Sequence, residues 1–244
     1  MKVCSVSYLN SIPFVYGLEN SALDIQLSTA IPSNCAKKLV EKEVDVALVP
    51  VAVIPQLDYS KIISPYCISC DGAVQTVCLF SDCPLEDIES IYLDYHSNTS
   101  NALVQILCKK FWKISPKFMD TEASFEEKIG GKRAGVIIGD RANAYRQKFD
   151  YIYDLSEEWK KHTSLPFVFA CWVSNTPIAI EKERSFCEAL EFGVDNLALA
   201  IQSKSHLYDT NIDKTKYLTE VIDYHFNDDK RKSMKLFLEL MESL

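Results

Sequence analysis

The sequence predicts an α/β protein with mainly parallel sheets, and two observations carry that expectation. Short apolar runs alternate with helical patterns along almost the whole chain, the element order that builds parallel sheets. The 244 residues are 48% hydrophobic and 25% charged. That is enough apolar surface for one large domain or two small ones, and too much for a disordered chain.

Val3–Ser7 alternates like a strand and ends in the polar turn Tyr8-Leu9-Asn10-Ser11. Ser33-Asn34 stands where a cap would start a helix, with Ala36, Leu39 and Val40 at helical spacing. Val44–Pro50 reads as a buried strand stopped by proline, and Val74–Ser81 and Ile91–Asp94 as two more. The loop His96–Ser100 opens a helix in which Leu103, Ile106, Leu107 and Phe111 share one face. Ala134–Ile138, Tyr151–Leu155 and Phe167–Val173 are further strands, with a helix over Glu157–His162. Leu190, Val194, Leu197 and Ile201 then mark one helical face, and Met234, Phe237, Leu238 and Met241 another.

This pattern suits two lobes: residues 1–78 with 171–244 as the first, residues 79–170 as an inserted second, and a ligand cleft between them. Val74–Ser81 and Phe167–Val173 would be the crossing segments. The longest apolar stretches, Val46–Pro55 and Leu165–Val173, fall short of the roughly 18–20 residues that span a bilayer. Lysine and arginine number 26 against 34 acidic residues, a net charge of −8, which excludes the electrostatic footprint of a nucleic-acid binder. Met1-Lys2 runs straight into a strand pattern without an apolar export segment, so a cytoplasmic location is expected.

Phosphate-loop, dinucleotide and G-x-S-x-G signatures are absent. Cys67, Cys70, Cys78 and Cys83 invite a zinc reading. Their spacing is short, however, and Cys78 lies inside an apolar strand, so nine free thiols packed as small apolar residues is the preferred expectation. Among four histidines only His96 follows a strand, where α/β proteins bind ligands. The informative feature is a set of four loops at the carboxyl ends of predicted strands: Ser7/Asn10/Ser11, Gln75/Thr76, Ser97/Thr99/Ser100 and Gly139/Asp140. Hydroxyls, amides and helix starts of this kind suit a small carboxylate. Helix capping by Thr99-Ser100, and a turn in which Asn10 bonds its own backbone, are the competing readings of the individual residues.

Several ordered motifs resemble the menaquinone-biosynthesis chorismate dehydratases of the futalosine pathway. Ser7-Tyr8-Leu9-Asn10-Ser11-Ile12-Pro13 is similar to their S-Y-L-N-x-x-P opening, and Asp45–Val51 to their D-x-A-L-V-P-V strand. Gly72–Ser81, Leu93–Ser100, Ile138-Gly139-Asp140 and Asp154–Ala170 match further motifs in order. The departures are Thr76 for a serine, Ala73 for a proline, and Ser156 and Ser164 for glycines. The last 70 residues add little. A related family that cleaves cyclic dehypoxanthinyl futalosine lacks the opening motif.

The resemblance implies a periplasmic-binding-protein type II-like fold, two α/β lobes with a central cleft, used as a hydro-lyase. Chorismate would lose water to give 3-[(1-carboxyvinyl)oxy]benzoate, with no metal or organic cofactor, since this elimination needs neither electron sink nor hydride carrier. Asn10 would be catalytic. Ser7, Tyr8, Ser11, Thr76, Ser97, Thr99, Ser100, Gly139 and Asp140 would bind the substrate. The expected partner is chorismate, without nucleic acid or membrane, on a monomer or homodimer. The rival reading is a non-catalytic cytosolic binding protein for a small carboxylate.

Overall fold

Strand β1 (Lys2–Val6) is buried at every position but Lys2, as its apolar run requires. It is followed by α1 (Ile12–Glu19), β2 (Gln26–Ala30), α2 (Pro32–Val40), β3 (Val46–Pro50) and β4 (Lys61–Cys70). The chain then forms β5 (Val77–Ser81), β6 (Ser90–Leu93), α3 (Asn98–Ile106), β7 (Lys117–Asp120), β8 (Arg133–Ile138), β9 (Tyr151–Asp154) and α4 (Leu155–Thr163). After β10 (Phe167–Ser174) come α5 (Ile180–Asp195), α6 (Leu197–Lys204), the single turn α7 (Lys214–Lys216) and β11 (Asp223–His225). Helix α8 (Asp228–Met241) is last. This computed structural model describes residues 1–244. It divides into one unit of Met1–Ser69, Val168–Asp209 and Asp213–Asp228, and another of Cys70–Phe167, Thr210–Ile212 and Asp229–Leu244.

The first unit holds a six-stranded sheet in the order β11-β4-β10-β3-β1-β2. β1 runs parallel to both β2 and β3, while β10 opposes β3 and β11 opposes β4. The second holds a five-stranded sheet, β7-β6-β8-β5-β9. There β6 is parallel to both neighbours and β5 antiparallel to both. The sheets are therefore mixed, which corrects the expectation of mainly parallel ones. Parallel pairs arise where a helix carries the chain over the sheet. The strands with which the chain enters a unit, β5 and β10, have no such crossover within that unit behind them; β5 runs against both its neighbours and β10 against β3.

Local chemistry also moves several element starts. Helix α2 begins at Pro32 with Ile31 at its N-cap and no side-chain cap, so Ser33 and Asn34 lie in its first turn. Proline at that position costs no hydrogen bond, because the first amides of a helix are unpaired anyway. The segment read as a strand from Val74 becomes one only at Val77, because Gln75 has φ +68. The helix after Ser97 is α-helical to Ile106 and continues as a π-helical turn to Trp112, ended by Lys113 at φ +58.

In the first unit, α1 lies on α5 at two glycines. A Cβ on Gly17 would fall 2.0 Å from the Ala189 carbonyl oxygen, and one on Gly193 would fall 1.9 Å from that of Pro13. Backbone thus meets backbone, and α1 cannot shift without unpacking α5. Its Phe14 ring stands edge-on to Trp172 and Tyr224, with centroids 5.9 and 5.3 Å away.

In the second unit, Trp159 Nε1 donates to Ser233 Oγ on α8 at 3.0 Å, and the Phe237 ring packs against Trp159 and Phe167. These contacts draw the closing helix into the second unit, whereas the sequence division keeps all of 171–244 in the first. No helix is long and apolar enough to cross a membrane. All nine cysteines are free thiols, seven of them buried, with Cys83 and Cys187 half-buried. Cys67 and Cys70 lie in β4 and Cys78 in β5, and no group of three His, Cys, Asp or Glu side chains is placed to hold a metal.

Candidate functional site

The first unit presents one loop of the predicted set, between β1 and α1. Ser7 donates its N–H to the Ala30 carbonyl at 2.8 Å, which continues the β1–β2 ladder past its last pair. Leu9–Ser11 then forms a single 3₁₀ turn that leads straight into α1. Ser11 is fully buried, and its hydroxyl proton is directed at the Val6 and Tyr8 carbonyls, 2.7 and 2.8 Å away. Sequence reading placed Ser11 among the substrate contacts; here its proton closes the turn. Asn10 differs. Its side-chain oxygen is buried and has no hydrogen-bond partner. A buried acceptor without a donor costs about 1–3 kcal/mol. Ser5, Asn101, Ser156, Trp172 and Tyr224 carry other unpartnered atoms, and Asn10 is the one that lies in a loop of the predicted set.

The second unit brings the other three loops together. Gly139 N donates to the Thr76 carbonyl at 2.8 Å, joining the segment before β5 to the one after β8. Gly139 has φ +74 and ψ −165, a conformation only glycine adopts freely, and it lets the chain turn sharply into Asp140. Ser97 caps α3: its Oγ accepts from Ser100 N–H, and from Ser100 Oγ–H, each at 3.3 Å. Thr99 and Ser100 are buried with it, as is Thr76. The capping side chain is therefore Ser97, with Ser100 as its donor, and not Thr99-Ser100; any ligand would have to share the Ser97 and Ser100 hydroxyls.

Two carboxylates organise this arrangement, and their roles are not apparent from sequence spacing. Asp94, just after the end of β6, is fully buried. Its Oδ1 accepts from His96 N–H and its Oδ2 from Ile138 N–H, both at 2.9 Å, and it pairs with Arg141. Arg141 also pairs with Glu126 and stands over the Tyr95 and Phe125 rings. Asp94 thus ties the loop after β6 to the end of β8. Burial pushes its carboxyl above the ordinary range, opposed by the charge of Arg141 and the two amides.

Asp154 plays the corresponding part at the other edge. Its oxygens accept from Ser156 and Glu157 at the start of α4 and from Val74 and Gln75 in the segment before β5. Burial raises its pKa as well, with the Gln75, Glu157 and Val74 amides pulling the other way. Arg146 completes the clamp by donating to the Gln75 carbonyl at 2.7 Å. One signal is legible: an aspartate followed by Leu-Ser-Glu-Glu, as at Asp154, is a helix-capping pattern.

His96 sits half-buried at the Asp94 turn, its ring edge-on to Tyr95. Burial, reinforced by the positive charge of Arg141, lowers its pKa to about 4. The folded protein therefore keeps this ring neutral while the unfolded chain protonates it near its ordinary value of about 6.5. Stability present above that pH is lost as pH falls through the interval from about 6.5 to 4. Solvent screening of a half-exposed ring leaves about 1 kcal/mol of the effect. Urea titrations at several pH values should show that slope, and H96Q should flatten it; an unchanged slope in H96Q would assign the acid loss to other groups.

Comparison with known proteins places this geometry. The family described as menaquinone biosynthesis matches residues 1–243. A chorismate dehydratase from Thermus thermophilus is 24% identical over 232 residues, covering 87% of this chain and 85% of the relative. Among solved structures, a protein from Archaeoglobus fulgidus superposes with a TM-score of 0.78 at 16% identity, over 99% of this chain and 96% of its own. A Candida albicans protein described as having the generic periplasmic binding protein structural fold gives 0.73 at 12% identity, over 100% and 90%. The α/β architecture is thus that of the periplasmic binding proteins, as the sequence motifs imply.

Proposed function

This chain belongs to the menaquinone-biosynthesis family, and from that premise we propose that it is a chorismate dehydratase of the futalosine pathway, eliminating water to form 3-[(1-carboxyvinyl)oxy]benzoate. The observation that carries the reading is the unpartnered, buried side-chain oxygen of Asn10 in the turn between β1 and α1. The chorismate ring loses one hydrogen as a proton and the neighbouring hydroxyl as water, and the C–H electrons complete the aromatic sextet. Aromatisation drives the step. The protein must hold one conformer and prevent competing rearrangement, and positioning of that kind supplies up to about 7–11 kcal/mol.

The distribution of carboxylates supports a base carried by the substrate itself. Asp94 and Asp154 are committed to backbone amides and, for Asp94, to Arg141. A free carboxylate beside a dianion would also repel it. The enolpyruvyl carboxylate, tethered next to the departing proton, takes it. Asn10 orients the ring and assists the leaving hydroxyl. Thr76, Ser97, Thr99 and Ser100, with Ser7 and Tyr8, hold the carboxylates, and Gly139 and Asp140 shape the loop against the ring.

Mass spectrometry of chorismate incubated with metal-stripped protein tests the reading. A product lighter by one water, absent without protein, supports it. Chorismate returned unchanged by a protein that it stabilises would instead indicate a binding protein. In D140N, turnover should stay within about tenfold of the parent, because the lost charge is not the base. Abolished turnover with normal substrate affinity would give the proton to the protein.

A further inference from the structure

The segment between β4 and β5 contains a residue that the chemistry above leaves unused. Gln75 has φ +68, where glycine rests without cost and a long side chain is crowded by its own backbone. Two contacts fix it there. Asp154 Oδ2 accepts its N–H at 2.6 Å, and Arg146 donates to its carbonyl at 2.7 Å. Both grip the main chain. The side-chain amide makes no hydrogen bond within the protein and is exposed, although Val74 and Thr76 on either side are buried.

Residues kept in sparsely populated backbone regions persist only where their surroundings over-determine them, and they cluster at ligand clamps. Glycine would make this turn with less strain. What glutamine adds is a neutral amide donor next to Thr76, whose carbonyl is in turn anchored by Gly139. A dianionic ligand is well served by such a donor, since it adds a hydrogen bond without a buried charge. We infer that Gln75 is a specificity-determining residue whose side-chain NH₂ donates to a carboxylate of the substrate, an inference that rests on the function proposed above.

Two variants test it, with affinity for chorismate measured by KM and by calorimetry. Q75G removes the donor and the strain together, so its Tm should match or exceed that of the parent while KM rises about tenfold. Q75E keeps size and backbone but puts an acceptor and a negative charge against the ligand, so KM should rise about a hundredfold. Little change in kcat is expected in either, because the contact is to a carboxylate and not to the reacting bonds. Unchanged affinity in both, with an active parent protein, overturns the role of Gln75 alone. A parent protein that neither binds nor converts chorismate overturns the functional reading, and this inference with it.

Discussion

Alanine at position 10 should lower kcat on chorismate by about 100- to 1,000-fold, the scale seen when one preorganised polar group is removed from a reacting centre. The same change should not lower Tm. Asn10 leaves its side-chain oxygen buried and unpaired, so the folded protein loses no hydrogen bond at that atom when it is truncated. Activity and stability are therefore expected to separate, and that separation is the diagnostic. A merely structural asparagine would do the reverse, with Tm falling and rate following only as the protein unfolds. Steady-state kinetics beside a thermal melt decides the matter. Near-parental rates in N10A would remove this residue from the chemistry.

The largest stability effect is expected at Asp94. Alanine there leaves Arg141 with Glu126 alone and strips acceptors from the His96 and Ile138 amides, all around a fully buried position. Breaking a buried pair from one side costs about 3–5 kcal/mol. For a chain of this size that is a Tm lower by roughly 6–20 °C. D94N retains an acceptor for one or both amides and should fall between the two. Below its melting temperature D94A should also show a raised KM, because the Ser97 and Gly139 loops lose their common anchor. A melt within about 2 °C of the parent would show that the pair contributes nothing net.

Much of the fold was legible because burial writes itself into composition. Strands β3, β5, β8 and β10 are nearly continuous apolar runs, and they were read within a few residues. Two of the strands that the sequence hides are ones the core does not govern. β2 (Gln-Leu-Ser-Thr-Ala) and β7 (Lys-Phe-Met-Asp) are edge strands with exposed polar positions. β4 contains Pro65, which normally argues against a strand; here its carbonyl accepts from Phe226 N–H.

The loops of the candidate site were legible for a different reason, as ordered motifs. Their supports were not. Arg141 and Asp94 are 47 residues apart, and Asp154 reaches back 79 residues to Gln75. No local periodicity encodes such a pairing. Ser11 shows the converse: the sequence puts it in a loop of the candidate site, and the fold spends its hydroxyl on Val6 and Tyr8.

The pattern of thiol burial has a practical consequence. Of nine cysteines only Cys83 and Cys187 are not buried, and they lie on different units, Cys187 in the first and Cys83 in the second. Both are half-buried, so they are the thiols expected to take up a donor and an acceptor dye while the buried seven stay unlabelled. The natural sequence thus carries its own spectroscopic ruler. Energy transfer between the two dyes, recorded as chorismate is added, would report any substrate-driven change in the relation of the units without a single engineered cysteine.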